Sequence, residues 1–165
     1  MGQNDCLKTT KWLNKKIMST YTQILYQIVF STKHREKTLD AGNRQELFKY
    51  ISGILKNKKC HLYQIGGIDN HIHIVTHLHP SVALAGLVKD IKLASSEFIK
   101  TQKLFSGFNG WQDGYGAFTY SLDSKDRLIN YVKNQEEHHK TITFLEEYRK
   151  LLLEHKIEFD EKYLL

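Results

Sequence analysis

Between residues 21 and 31 the chain alternates. Ile24, Tyr26, Ile28 and Phe30 fall on one side of an extended backbone and Gln23, Leu25, Gln27 and Val29 on the other, the period of two that predicts a strand. After Asp40 the period lengthens, and Leu47, Tyr50, Ile51, Ile54 and Leu55 recur at helical spacing up to the basic run Lys56-Asn57-Lys58-Lys59, whose charge suits a helix C-terminus. Residues 61–65 and 71–78 read as strands on either side of Gly66-Gly67-Ile68-Asp69-Asn70, which predicts an antiparallel hairpin. Ser81 is the expected cap of a second helix, with Leu84, Leu87, Val88, Ile91, Ala94 and Phe98 inward and Lys89, Lys92, Lys100 and Lys103 outward. A glycine- and aromatic-rich loop, 105–115, then leads to a fourth strand over 116–122. A third helix is expected over 124–139, and a fourth from Thr143, where Glu146 completes a capping box.

The order β-α-β-β-α-β-α-α predicts an α+β fold, a ferredoxin-like split βαβ antiparallel sheet with helices mainly on one face and a tyrosine-bearing helix towards the C-terminus. Residues 1–17 are polar, lysine-rich and without periodicity. They read as a disordered leader or an extension from an upstream start, ahead of one domain over 18–165. Neither a membrane-spanning apolar run nor a secretory signal is visible, so a cytoplasmic location is expected. Cys6 and Cys60 have no metal-type spacing and read as reduced. The excess of 24 Lys and Arg over 18 Asp and Glu, a formal charge of +6, favours a polyanionic partner.

Candidate chemistry concentrates in "DNHIHIVTHLHP", residues 69–80, which holds four of the nine histidines and the only proline. On a strand His71 and His73 share a face, about 7 Å apart, with Ile72 and Ile74 turned to the core. Two imidazoles so placed can converge on one metal ion. His77 and His79 share their parity but are carried away by strand length and twist. On the third helix Tyr131 and Gln135 are four residues apart, neighbours on one face, while Leu128, Ile129 and Val132 supply packing. A tyrosine can attack a phosphodiester, leaving a phosphotyrosine that conserves bond energy for rejoining. Its ordinary pKa near 10 calls for activation, which a nearby metal can help to provide.

The segments "NHIH" at 70–73, "LVKDIKLASSEFIK" at 87–100, "GYGAF" at 114–118 and "YVKNQEEHH" at 131–139, with the opening "MSTYTQILYQIVFSTK" from Met18, together resemble the single-tyrosine HUH transposases of the insertion sequence 200-like family. The resemblance implies a single-strand DNA transposase that cleaves and rejoins element ends through a 5′-phosphotyrosine. Tyr131 would be the nucleophile, and His71, His73 and Gln135 would hold a divalent cation, Mg2+ or Mn2+. It also implies hairpin-ended single-stranded DNA as partner, a homodimer, and a nucleoid-associated enzyme. Two imidazoles and an amide oxygen are all neutral, leaving the full charge of the ion to act on a phosphate. Lys89, Lys92, Lys100, Lys103 and Trp111 are candidate DNA contacts.

Other functions compete. A non-catalytic hairpin DNA or RNA module would use the basic helix and loop aromatics alone. A zinc hydrolase would take His77 or His139 as a third nitrogen ligand. A related enzyme acting on repetitive genomic hairpins would share the same chemistry. His138 and His139 are alternative ligands, and Glu136 and Glu137 read as solvent-facing.

Overall fold

The computed structural model describes residues 20–164. The leader, Met18 and Cys6 lie outside the described residues. Four strands, β1 (Leu25–Ser31), β2 (His61–Gly67), β3 (His71–His77) and β4 (Gly116–Tyr120), form one sheet in the order β2-β3-β1-β4 with every pair antiparallel. With α1 (Ala41–Asn57) between β1 and β2, and α2 (Leu84–Gln102) between β3 and β4, this is the ferredoxin-like split βαβ arrangement. Asp40 caps α1, accepting a hydrogen bond from Asn43 N at 3.0 Å. Ser81 caps nothing: α2 begins after Ala83 without a side-chain cap, and the Ser81 hydroxyl is held at 2.8 Å by His79 Nδ1.

The alternation in β1 and β3 becomes two layers. Ile28, Phe30, Ile72 and Ile74 are buried against Leu47, Ile51 and Leu55 of α1 and Leu87, Ile91 and Ile99 of α2, each contributing about 1.5–3 kcal/mol by leaving water. The opposite face carries α3 (Lys125–Lys133), α4 (Gln135–His138) and α5 (Phe144–Glu154). There Leu25 and Val75 pack on Leu128 and Val132 of α3, and Val29 and Phe118 pack on Phe144, Tyr148, Leu151 and Leu152 of α5. Between these two small apolar clusters lie buried polar side chains from Gln27, His71 and His73.

The expected third helix is two pieces, broken at Asn134 (φ −100°, ψ 26°). Backbone bonds bridge the break, from Asn134 N to Asn130 O at 3.1 Å and from His138 N to Asn134 O at 3.0 Å, so Gln135 still follows Tyr131 by about one turn. The position of α3 depends on Gly66: a Cβ there would sit 2.1 Å from Val132 O, so only a residue without a side chain lets the helix lie this close to β2. Thr143 caps α5 in the expected capping box with Glu146. No helix of the described residues is long and apolar enough to cross a membrane.

Candidate active site

His71 and His73 both point from β3 towards α3–α5 and are fully buried. Asn70 Oδ1 lies 2.8 Å from His71 Nδ1. Accepting that proton directs the lone pair on Nε2 into the cluster. Gln135 Oε1 is 3.1 Å from the same nitrogen. Burial, reinforced by the neighbouring His73 ring, pushes the His71 pKa well below its ordinary value, so the ring is neutral. On the other side Gln27 Nε2 meets His73 Nδ1 at 2.9 Å, and the Tyr120 hydroxyl donates to Gln27 Oε1 at 2.6 Å.

Glu147, in the first turns of α5, is the residue that sequence reasoning missed. It is 1% exposed, yet charged. Its Oε2 lies 3.2 Å from His73 Nε2, 3.5 Å from His71 Nε2 and 3.1 Å from His139 Nε2. Its Oε1 accepts hydrogen bonds from the Tyr131 hydroxyl and, at 2.9 Å, from Gln135 Nε2. Burial alone would raise this carboxyl. The His73 ring and hydrogen bonds from His139 and His73 outweigh that and hold it far below the usual carboxylate range. The start of α5 also favours a negative charge there. A signal did exist in the sequence: Phe144, Glu147, Tyr148, Leu151 and Leu152 form the buried stripe of α5, and an acid on an inward stripe is costly unless paired.

Tyr131 is half-buried beside His73, their ring centroids 6.1 Å apart. Burial, followed by the Glu147 charge and its hydrogen bond, pushes the phenol pKa far above its ordinary value, so the resting hydroxyl keeps its proton. It lines a cleft of about 460 Å³ together with Tyr120, Arg127, Leu128 and Lys150, through which a substrate can reach it. One chain therefore brings the histidine pair and the tyrosine together.

The remaining expected residues divide. His139 joins the cluster: its Nδ1 faces Ile142 O at 2.8 Å, and although burial lowers its pKa, the Glu147 hydrogen bond and charge raise it overall. His138 approaches Glu147 Oε1 at 3.6 Å, and burial lowers its pKa. His77 turns instead to the Ile24 backbone and His79 to Ser81, so neither reaches the site. Lys89, Lys92, Lys100 and Lys103 follow α2 on the opposite face of the sheet and are not brought to the histidines. Lys92 is moreover spent on structure, its ammonium donating to Gln112 O at 2.7 Å and to Gly114 O. Trp111 is a core residue rather than an open stacking surface, 9% exposed and set edge-on to Phe30, with its Nε1 donating to Ser95 Oγ at 2.9 Å. Glu136 and Glu137 are exposed as expected and pair with Arg44 and Lys140.

The donor set fits a divalent cation. One atom each from His71, His73 and Glu147 lies within 4.8 Å of the others, all three residues are buried, and the neutral His71 presents a lone pair. Two imidazoles and one carboxylate suit a borderline or hard divalent ion. An ion held by this group would meet a carboxylate that the neutral three-ligand set expected from the sequence did not include, and would keep one net positive charge rather than two.

A search of curated protein sequences found no match. Among solved structures, a protein from Deinococcus radiodurans R1 assigned as a transposase is 21% identical, with a TM-score of 0.53, over 70% of this chain and 93% of that one. A REP-associated tyrosine transposase solved bound to a REP hairpin is 15% identical, with a TM-score of 0.56, over 76% of each chain. At these identities the likeness is one of fold. The family described as "Transposase IS200 like" matches residues 20–135, a span that takes in the histidine pair, Tyr131 and Gln135 but stops short of Glu147. The chain belongs to this IS200-like transposase family.

Proposed function

We propose that this transposase cleaves and rejoins single-stranded DNA through a covalent 5′-phosphotyrosine at Tyr131. The observation that carries this reading is the contact of the Tyr131 hydroxyl with the buried Glu147 carboxylate, whose other oxygen faces the histidine pair. A phenol whose pKa is raised by burial and by an adjacent anion is a poor nucleophile at rest. Glu147 Oε1 already accepts the phenolic hydrogen bond; held far below the usual carboxylate range, it is a weak base, so it takes the proton as the phenol oxygen attacks the scissile phosphorus rather than beforehand. As that bond forms, the bond from phosphorus to the 3′ oxygen breaks. The departing oxygen takes up a proton from solvent as a 3′ hydroxyl, the proton received by Glu147 returns to solvent, and the 5′ phosphate stays on Tyr131. Attack by a different 3′ hydroxyl reverses the sequence and joins new ends. Water need not attack, so the energy of the broken bond is conserved.

His71, His73 and Glu147, with Gln135 Oε1 beside His71, would hold a divalent cation, Mg2+ or Mn2+. When bound, such an ion polarises the phosphate and stabilises charge that develops in the transition state. His73 would present an Nε2 lone pair with its proton on Nδ1, which requires the Gln27 amide to turn so that its oxygen replaces the nitrogen that now faces the ring. The proposed partner is single-stranded DNA with hairpin ends, in keeping with the family and with a structural neighbour that holds a hairpin on the same fold. The proposed assembly is a homodimer, in which each chain carries its own tyrosine beside its own histidines.

The test is incubation with single-stranded element ends and Mn2+, followed by peptide mapping of the protein–DNA adduct. The adduct should map to Tyr131. Tyr131→Phe should abolish it while leaving hairpin binding intact, and a denaturation-resistant adduct in that variant would overturn the assignment.

A further inference from the structure

We propose that a second, basic cleft, between residues 34–37 and residues 139–145, seats the phosphate backbone of the single strand next to the scissile phosphate. The proposal rests on the reading of the site given above and adds the route by which DNA leaves it. This cleft, about 530 Å³ in volume, borders the cluster at Asn70 and His139 and shares no lining residue with the cleft at Tyr131. Arg35, Lys37 and Lys140 line it, His34 adds an imidazole, and none of its lining residues is acidic. Phosphate contacts supply most of the sequence-independent affinity for nucleic acid, and a groove of one charge sign tracks a backbone.

The walls are built rather than incidental. His34 and Arg35 are consecutive non-glycine residues in the left-handed region, with φ of 55° and 57°, a conformation that side chains disfavour and that persists only where the surroundings enforce it. The enforcement is visible: Thr32 Oγ1 donates to Glu36 O at 2.6 Å, Lys33 N donates to Gly110 O at 2.9 Å, and His34 N donates to Gln112 Oε1 at 2.9 Å. The same loop is tied to the cluster, because Thr32 N donates to Asn70 O at 2.9 Å and Asn70 Oδ1 orients His71. A phosphate held by this loop is therefore in register with a proposed metal ligand.

The cations remain available. Lys37 meets Asp69 only at 3.8 Å, and Lys140 pairs with Glu137 on the surface, exposed pairs that solvent screens and that exchange readily for phosphate. One Arg35 nitrogen, Nη1, donates to Leu164 O at 3.1 Å, which leaves other guanidinium donors. By contrast the α2 lysines lie across the sheet from the cluster.

The experiment uses the full chain carrying Tyr131→Phe, so that no DNA is consumed, and measures binding of a fluorescein-labelled oligothymidylate over a salt series by anisotropy. Adding Arg35→Gln, Lys37→Gln and Lys140→Gln together should weaken binding by about tenfold or more at low salt and reduce the slope of log K against log salt by about two, since each single-strand phosphate contact carries about 0.7. Lys89→Gln, Lys100→Gln and Lys103→Gln together should leave both quantities unchanged. Unaltered affinity and slope in the cleft variant, equal losses in the α2 variant, or no measurable affinity in the parent would each overturn the proposal. Adduct formation by the chain with its native tyrosine, measured in parallel, separates the two readings: its absence removes the phosphotyrosine chemistry while the binding data still decide the cleft.

Discussion

Replacing Glu147 with glutamine preserves the shape of a side chain that faces Tyr131 with one oxygen and the histidines with the other, and removes its charge and basicity. The amide oxygen can still accept the phenolic hydrogen bond but cannot take the proton. General acid–base contributions are about 10²- to 10⁴-fold, or about 2.7–5.5 kcal/mol of barrier, and that is the expected loss in the rate of adduct formation. Stability should change far less. The folded protein gives up charge-assisted hydrogen bonds of about 1.5–3 kcal/mol each but no longer carries the cost, several kcal/mol, of burying an anion. A net change within about 2 kcal/mol corresponds to a Tm shift of about 8 °C or less for a chain of this length. The assay is the rate of adduct formation on single-stranded element ends, followed on denaturing gels at saturating Mn2+, because Glu147 is also a proposed ligand. A Glu147→Gln rate within about threefold of wild type would refute a base at this position. Recovery of the rate as Mn2+ is raised would assign Glu147 to holding the ion instead.

The other expectations concern the histidine pair, the packing of α3 and the cap of α5. His71→Ala should abolish metal-dependent cleavage and weaken Mn2+ binding in titration calorimetry; full wild-type activity in chelator would remove the metal from the mechanism. Gly66→Ala places a methyl group where Val132 O stands 2.1 Å away, so α3 must shift, at about 1–3 kcal/mol or more. A fall in Tm and a loss of adduct should appear together, and a wild-type melting curve would show that the helix can yield. Glu146 is held below its ordinary carboxylate range by the side-chain and backbone hydrogen bonds of Thr143. Its contribution is therefore present above the unfolded pKa, about 4.3, and is lost as pH falls through the folded one. The stability difference between wild type and Glu146→Gln should shrink on acidification, and a gap that widened would contradict this sign.

Much of the fold was legible because periodicity is local. Alternation in β1 and β3 assigned Ile28, Phe30, Ile72 and Ile74 to one layer and His71 and His73 to the other; all six are buried, and their partners divide them as expected, α1 and α2 for the first four and Gln135, Phe144 and Glu147 for the histidines. The Thr143–Glu146 capping box marked the start of α5 because cap partners are three residues apart. Less legible were features set by distant contacts. Phe98 packs at the edge of the core as expected, but the fully buried stripe of α2 also takes in Ser95 and Ile99, and Ser95 Oγ receives the Trp111 indole from the loop 16 residues on. The same contact turned Trp111 from a candidate DNA surface into core.

By itself the sequence determined the element order, the strand parity that pairs His71 with His73, and the approach of Tyr131 to Gln135 along a helix, since each follows from spacings of two to four residues. Tertiary structure alone decided which histidines meet. His139 arrives from the far side of the break at Asn134 while His77, on the same strand as the pair, turns away. It also decided that an acid completes the cluster. Glu147 is 74 residues from His73 in sequence and 3.2 Å from it in space, and only the docking of α5 on Val29 of β1 and Phe118 of β4 brings enough hydrogen-bonding partners together to make a buried carboxylate tolerable.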